Sequence, residues 1–152
     1  MLATRFHELG LAPPRVARAD LPFAPCVRVG DIVYISGQIP ERGEEIVAVG
    51  KVGEDVSLDE ARMAAELCAA NVLFWLDREL QGDLDRVVRI AKVTVYVNAA
   101  PGFSQISQVG NGASELFLKI LGSRGEHARS ALGMASLPLG VAVEVDAIVH
   151  VR

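Results

Sequence analysis

The sequence predicts an α+β fold in which two helices cover one face of a mixed β-sheet. Two observations carry this. Residues 92–98 and 141–152 alternate apolar and polar side chains as half-buried strands do, and a capped helix opens after Ser57, with a second helical stretch ending at Gly122. Strands interleaved with two long helices make a layered sandwich.

Taken in order, residues 2–9 form a short helix, stopped by Gly10, and Pro13-Pro14 begin an extended segment. Val27 and Val29 flank Arg28, Gly30-Asp31 turns the chain, and residues 32–35 are Ile-Val-Tyr-Ile, which together predict a hairpin. Residues 40–43 are expected to be a loop and 45–49 a brief strand. Ser57-Leu58-Asp59-Glu60 is a capping box, in which the serine takes an orphan amide and Glu60 reaches back. Ala61, Ala65, Cys68, Val72 and Trp75 then recur at helical spacing. Between 67 and 76 only Asn71 is polar, so this helix is buried on more than one side. In 92–98, Val93, Val95 and Val97 share a face. The second helix runs to Leu121, with Gly110 and Gly112 leaving its first half open. Residues 129–135 are a strand. In the last strand Val141, Val143, Val145, Ala147, Val149 and Val151 line one face, with Glu144, Asp146 and His150 on the other. That second face must meet solvent or a partner.

At 152 residues the chain fits one domain. Its residues are 51% hydrophobic even before glycine is counted, and with glycine the apolar share exceeds the usual 45–50% or so of a soluble domain. Surface buried between subunits would account for the excess. The net charge is −4, aromatics make up 5%, and no run of Lys and Arg forms a basic stripe, which disfavours nucleic acid as a partner. The apolar stretch at 67–76 is far short of the ~20 residues that span a bilayer, so no membrane association is expected. Arg5, His7 and Glu8 interrupt the N-terminus, unlike a secretory signal. Cys26 and Cys68 make neither a disulfide framework nor a ligand pair, which suits a reducing cytoplasm. His7, His127 and His150 are widely separated and are expected to be bystanders. No metal is predicted.

Few residues carry a chemical signature. Arg129 begins a strand and precedes Ser130, so a guanidinium fork and a hydroxyl could sit together. The fork suits a carboxylate, although on the residues alone a surface ion pair is the plainer explanation of the arginine. Glu144 is either a solvated sheet carboxylate or a base positioned for a water. Ser36-Gly37-Gln38 ends a strand, where the glycine permits close backbone approach or merely turns the chain.

The segment Ile35-Ser36-Gly37-Gln38-Ile39-Pro40 resembles the N-terminal signature of the RidA/YjgF family. Arg129-Ser130-Ala131, followed by Leu137-Pro138-Leu139-Gly140-Val141-Ala142-Val143-Glu144-Val145, resembles its second signature. The resemblance covers 22–152, and residues 1–21 form an N-terminal extension. It implies a chorismate-mutase-like fold assembled as a homotrimer, with clefts between subunits and no cofactor. Arg129 would grip the carboxylate of a 2-imino or enamino acid, and Glu144 would serve the water that attacks the imine carbon. Ser36, Gly37, Ser130 and Asn111 would line the cleft, the asparagine matching one that opens a helix in the family. The products would be a 2-oxo acid and ammonia. Phe23 stands where active relatives often carry tyrosine, Ala131 where they often carry cysteine, and the stretch 101–112 is longer than in compact members. Two other readings stand beside deamination: a non-catalytic trimer that binds small carboxylates, and an endoribonuclease.

Overall fold

The computed structural model describes residues 2–11 and 21–152. The chain runs through α1 (Leu2–Glu8), β1 (Cys26–Val29), β2 (Ile32–Gln38), β3 (Glu41–Arg42), β4 (Glu45–Ile46), α2 (Leu58–Glu79), β5 (Val87–Asn98), α3 (Ile106–Leu121), β6 (Ala128–Met134) and β7 (Val143–Val151). The five main strands lie in the order β1-β2-β7-β5-β6. The β5–β6 pair is parallel, and the other pairs are antiparallel. Because α3 crosses over between β5 and β6, the parallel pairing follows from the connection.

Alternation along the strands decides which face is covered. Val33, Ile35, Val93, Val95, Val97 and the odd-numbered positions 143–151 of β7 are buried in one cluster with Ala65, Cys68, Val72 and Leu76 of α2 and Leu116 and Phe117 of α3. Leu2 and Phe6 of α1 join the same core, and Arg5 of that helix bonds the Ile120 carbonyl. The helix expected at 2–9 is thus packed against the rest of the chain. The extended segment expected after Pro13-Pro14 lies outside the described residues, as does most of the expected extension's second half. No helix among the described residues is long and apolar enough to cross a membrane.

The capping box forms as read: the Glu60 amide donates to Ser57 Oγ at 3.2 Å, and the Ser57 amide donates to Glu60 Oε2 at 2.8 Å. Ser57→Ala is expected to lower stability by about 1 kcal/mol in urea denaturation, with no change in the slope of the transition.

Three boundaries differ from expectation, each for a physical reason. The expected loop at 40–43 is partly β3, paired with β4 around Gly43, whose φ is +60°. Asn71, the lone polar residue of the apolar half of α2, donates to the carbonyls of Ile39 and Glu41 at 3.0 and 3.1 Å and holds that hairpin on the helix. β5 begins five residues before the alternation does, because register shifts between Val87 and Arg89 and between Ile90 and Lys92 break the period. Finally, α3 starts at Ile106, so Gly110 and Gly112 both lie inside it. A Cβ on Gly112 would come within 2.9 Å of the Arg62 carbonyl carbon, so this glycine is where α3 meets the backbone of α2.

Both cysteines are free. Cys68 is fully buried. Burial, then the nearby Glu79 carboxylate, pushes the Cys26 thiol up to about 11. Since the thiolate is the nucleophile, native protein at pH 8 should resist iodoacetamide at both positions until it is unfolded. Rapid native alkylation followed by mass spectrometry would contradict this.

Candidate functional site

β6 is an edge strand, and its register with β5 sets Arg129 beside Val93, on the helix side of the sheet. The side chain therefore runs along α3 rather than into solvent. Nη1 donates to Asn111 Oδ1 at 3.0 Å and to Ser114 Oγ at 3.1 Å. Nη2 donates to the Ser107 carbonyl at 3.1 Å and to its hydroxyl at 2.9 Å. A Cβ on Gly110 would fall 3.0 Å from Nη1 and 3.1 Å from Cζ, so the guanidinium lies against the bare helix backbone there. This close approach explains a glycine within a helix, as Gly112 does on the side facing α2. The four Nη hydrogens thus have partners on α3, two of them from the exposed Ser107.

Behind Ser114 stands His127. Its Nε2 is 2.9 Å from Ser114 Oγ, its Nδ1 is 2.6 Å from the Gly125 carbonyl, and its ring meets Phe117 edge-on at 5.7 Å. Burial and the positive charge of Arg129 hold its imidazole below the ordinary histidine range, against an opposing pull from the Gly125 carbonyl. Sequence reasoning took this histidine for a bystander. The only signal was its position two residues before Arg129, just ahead of β6.

Ser130 does not join Arg129. Successive strand residues face opposite ways, and the Ser130 hydroxyl lies on the uncovered face, where Lys92 Nζ donates to it at 2.6 Å. The expected pairing of fork and hydroxyl is corrected on this ground. Ala131, two residues on from Arg129, shares the arginine's face. Asn111 meets the arginine from the second turn of α3, and not from the opening of the helix where the resemblance puts it.

The uncovered face holds the other candidates. Glu144 pairs with Tyr96 across β7 and β5, and Tyr96 Oη donates to Asp146 Oδ2 at 2.7 Å. Burial, then repulsion from Asp146, raises the Glu144 carboxyl above the ordinary glutamate range. Gly37 sits over this carboxylate: a Cβ there would lie 2.8 Å from Glu144 Cδ. The bulge in β2 between Ile35 and Gln38 allows that approach. Ser36 Oγ donates to the Ala24 carbonyl at 2.7 Å and so pins the segment that carries Phe23, a residue 55% exposed. Tyr34, Val27, Val29 and Leu132 are also exposed on this uncovered side. One chain therefore joins Ser36, Gly37 and Glu144 on one face of the sheet, and Arg129 with Asn111 on the other.

Comparison with known proteins places this geometry in a family. The family model described as endoribonuclease L-PSP matches residues 15–151. Protein TCP17 of Trypanosoma cruzi is 39% identical over 152 residues, 99% of this chain and 94% of that protein. The crystal structure of Atu1372 from Agrobacterium tumefaciens is 40% identical, with a TM-score of 0.92 over 99% of this chain and 93% of that one. The structure of the YjgF gene product from E. coli is 26% identical, with a TM-score of 0.61 over 93% and 94% of the two chains. A mixed sheet with the helices on one face agrees with these structures, and the chain belongs to the endoribonuclease L-PSP family, that of RidA and YjgF.

Proposed function

We propose that this protein hydrolyses reactive 2-imino and enamino acids to 2-oxo acids and ammonia, without a cofactor, at clefts between the subunits of a homotrimer. The observation that carries the reading is Arg129, a guanidinium fixed in orientation by α3 and in contact on its Nη2 side with the exposed Ser107. A substrate carboxylate takes the place of the Ser107 contacts and is gripped through charge-assisted hydrogen bonds. Imine hydrolysis is already rapid in water, so the protein's task is to hold substrate and water in register. Water adds to the imine carbon and its proton passes, by way of a base, to the nitrogen. The carbinolamine hydroxyl then gives its proton by the same route to the nitrogen, the C–N bond breaks, and ammonia leaves as the carbonyl of the 2-oxo acid forms.

Glu144 is the base for that water, and it lies across the sheet from Arg129. A cleft that uses both residues takes Arg129 from one copy and Glu144, Gly37 and Ser36 from the uncovered face of its neighbour. That face, with Tyr34, Val27 and Leu132 exposed, is the surface the neighbour covers. Because Glu144 acts ionised and its carboxyl is raised by burial and by Asp146, the rate should fall on the acid side at a pH above the ordinary glutamate range. Glu144→Gln should remove that limb along with most of the rate. A profile flat down to pH 4 would contradict the assignment.

The direct test is 2-oxo acid release from an imine generated in situ by a separate dehydratase acting on serine or threonine. Wild type should accelerate release and Arg129→Ala should not. A second reading, a non-catalytic carboxylate binder using the same cleft, is favoured by Phe23, which offers no phenol, and by the Ser36 hydroxyl, already engaged by Ala24. Binding of a 2-oxo acid without acceleration would select it. Endoribonuclease activity finds support only in the family's name, and a fold does not carry function.

A further inference from the structure

The contacts behind Arg129 go beyond what holding a surface arginine requires. The Gly125 carbonyl can only accept, so the proton of a neutral imidazole sits on Nδ1 of His127 and Nε2 is an acceptor. The Ser114 hydroxyl must then donate to Nε2, which leaves its lone pairs for Arg129 Nη1. The chain is directed throughout: Arg129 to Ser114, Ser114 to His127, His127 to Gly125. A proton on Nε2 reverses the Ser114–His127 link: Ser114 Oγ would then accept from both neighbours, its own hydrogen would lose its acceptor, and two cations would stand one hydroxyl apart.

We propose that Ser114 and His127 form a positioning relay behind Arg129, through which binding of a small carboxylate is linked to protonation of His127. The proposal rests on the carboxylate-site reading of Arg129. Its sign follows from charge. An anion on Arg129 cancels the repulsion felt by an imidazolium, so the complex holds the proton more tightly than the free protein does. By reciprocity, carboxylate affinity rises as pH falls through the titration of His127. The surroundings leave Arg129 as the charge that acts on this ring. From α3 come the uncharged Ser114 and Phe117, and from the turn before β6 the Gly125 carbonyl. Neighbouring charges are engaged elsewhere: Glu126 with Arg89 at 3.7 Å, Arg124 with Asp85 at 3.3 Å, Glu115 with Arg62 at 3.0 Å, and Lys92 with Ser130 on the opposite face. His127 touches no substrate in this scheme; it acts through Ser114.

NMR titration of the histidine rings in the full-length protein tests this, with His7 and His150 as internal references and pyruvate as the carboxylate probe. In the absence of ligand, Arg129→Gln should raise the His127 titration point. Saturating pyruvate should raise it in wild type, and pyruvate affinity should be tighter at pH 5.5 than at pH 8, by no more than about three- to tenfold, the ceiling that a shift of one-half to one pH unit sets. His127→Gln should flatten that pH dependence, and Ser114→Ala should weaken pyruvate binding at pH 8 about three- to tenfold, the worth of one hydrogen bond. A His127 titration unmoved by Arg129→Gln overturns the relay. Pyruvate binding that depends on Arg129 yet has the same affinity at both pH values overturns the linkage while sparing the carboxylate site. If Arg129→Gln shifts His127 but pyruvate binds nowhere, the carboxylate reading falls, and the linkage with it.

Discussion

Arg129→Ala should abolish the acceleration of 2-oxo acid release, with a loss of about 10²–10³ in kcat/KM while the fold persists. The estimate takes two charge-assisted hydrogen bonds to a carboxylate at about 1.5–3 kcal/mol each, less what water restores in the mutant. Arg129→Lys should recover little of this. The three hydrogens of an ammonium cannot serve Asn111, Ser114 and both oxygens of a carboxylate, whereas the four Nη hydrogens of the planar fork do so in one orientation. Circular dichroism beside the rate assay separates a lost site from a lost fold. A Lys variant as active as wild type would show that positive charge alone suffices and that the orientation imposed by α3 is irrelevant.

Gly112→Ala should be strongly destabilising, although alanine in an exposed helix normally stabilises by about 1 kcal/mol relative to glycine. The sign reverses because the new methyl would sit 2.9 Å from the Arg62 carbonyl carbon and 3.1 Å from its Cα. Those are backbone atoms of α2, which cannot rotate aside as a side chain could. The two helices must separate, opening gaps around Leu116, Phe117 and Ala65 beneath them. A loss of about 2–4 kcal/mol is expected from overpacking and the voids it leaves. Urea denaturation measures it, and unchanged or increased stability would mean that the helices do not approach this closely.

The strand alternation and the capping box could be read from the sequence because each is a local rule: a period of two along a strand, and a serine three residues before a glutamate. The first half of α3 could not. Gly110 and Gly112 weaken a helix by propensity, and only the third dimension shows that each makes room, one for the Arg129 guanidinium and one for the backbone of α2. The same limit governed the site. Arg129 stands in a recognisable pattern, whereas Asn111 lies in neither signature and is matched only to an asparagine that opens a helix in the family. That Ser130 faces away follows from strand alternation, which a reading of the two residues as neighbours overlooked. His127 and Ser114 carry no motif at all, lying 13 residues apart and meeting only because β6 returns alongside α3. Nor does the order of residues reveal that Arg129 and Glu144 occupy opposite faces of the sheet. That depends on the register of β6 against β5 and of β5 against β7.

This division of the site between faces leads to the most direct test of the account, which is complementation between two inactive chains. Arg129→Ala and Glu144→Gln proteins would be unfolded and refolded together in equal amounts, and 2-oxo acid release would be measured against each alone. If every cleft takes its arginine from one copy and its glutamate from the next, random assembly rebuilds about a quarter of the clefts with both wild-type residues. Activity should then return to about that fraction of wild type. Mixed oligomers that form, by mass spectrometry, yet stay as inactive as their parents would contradict a site shared between copies.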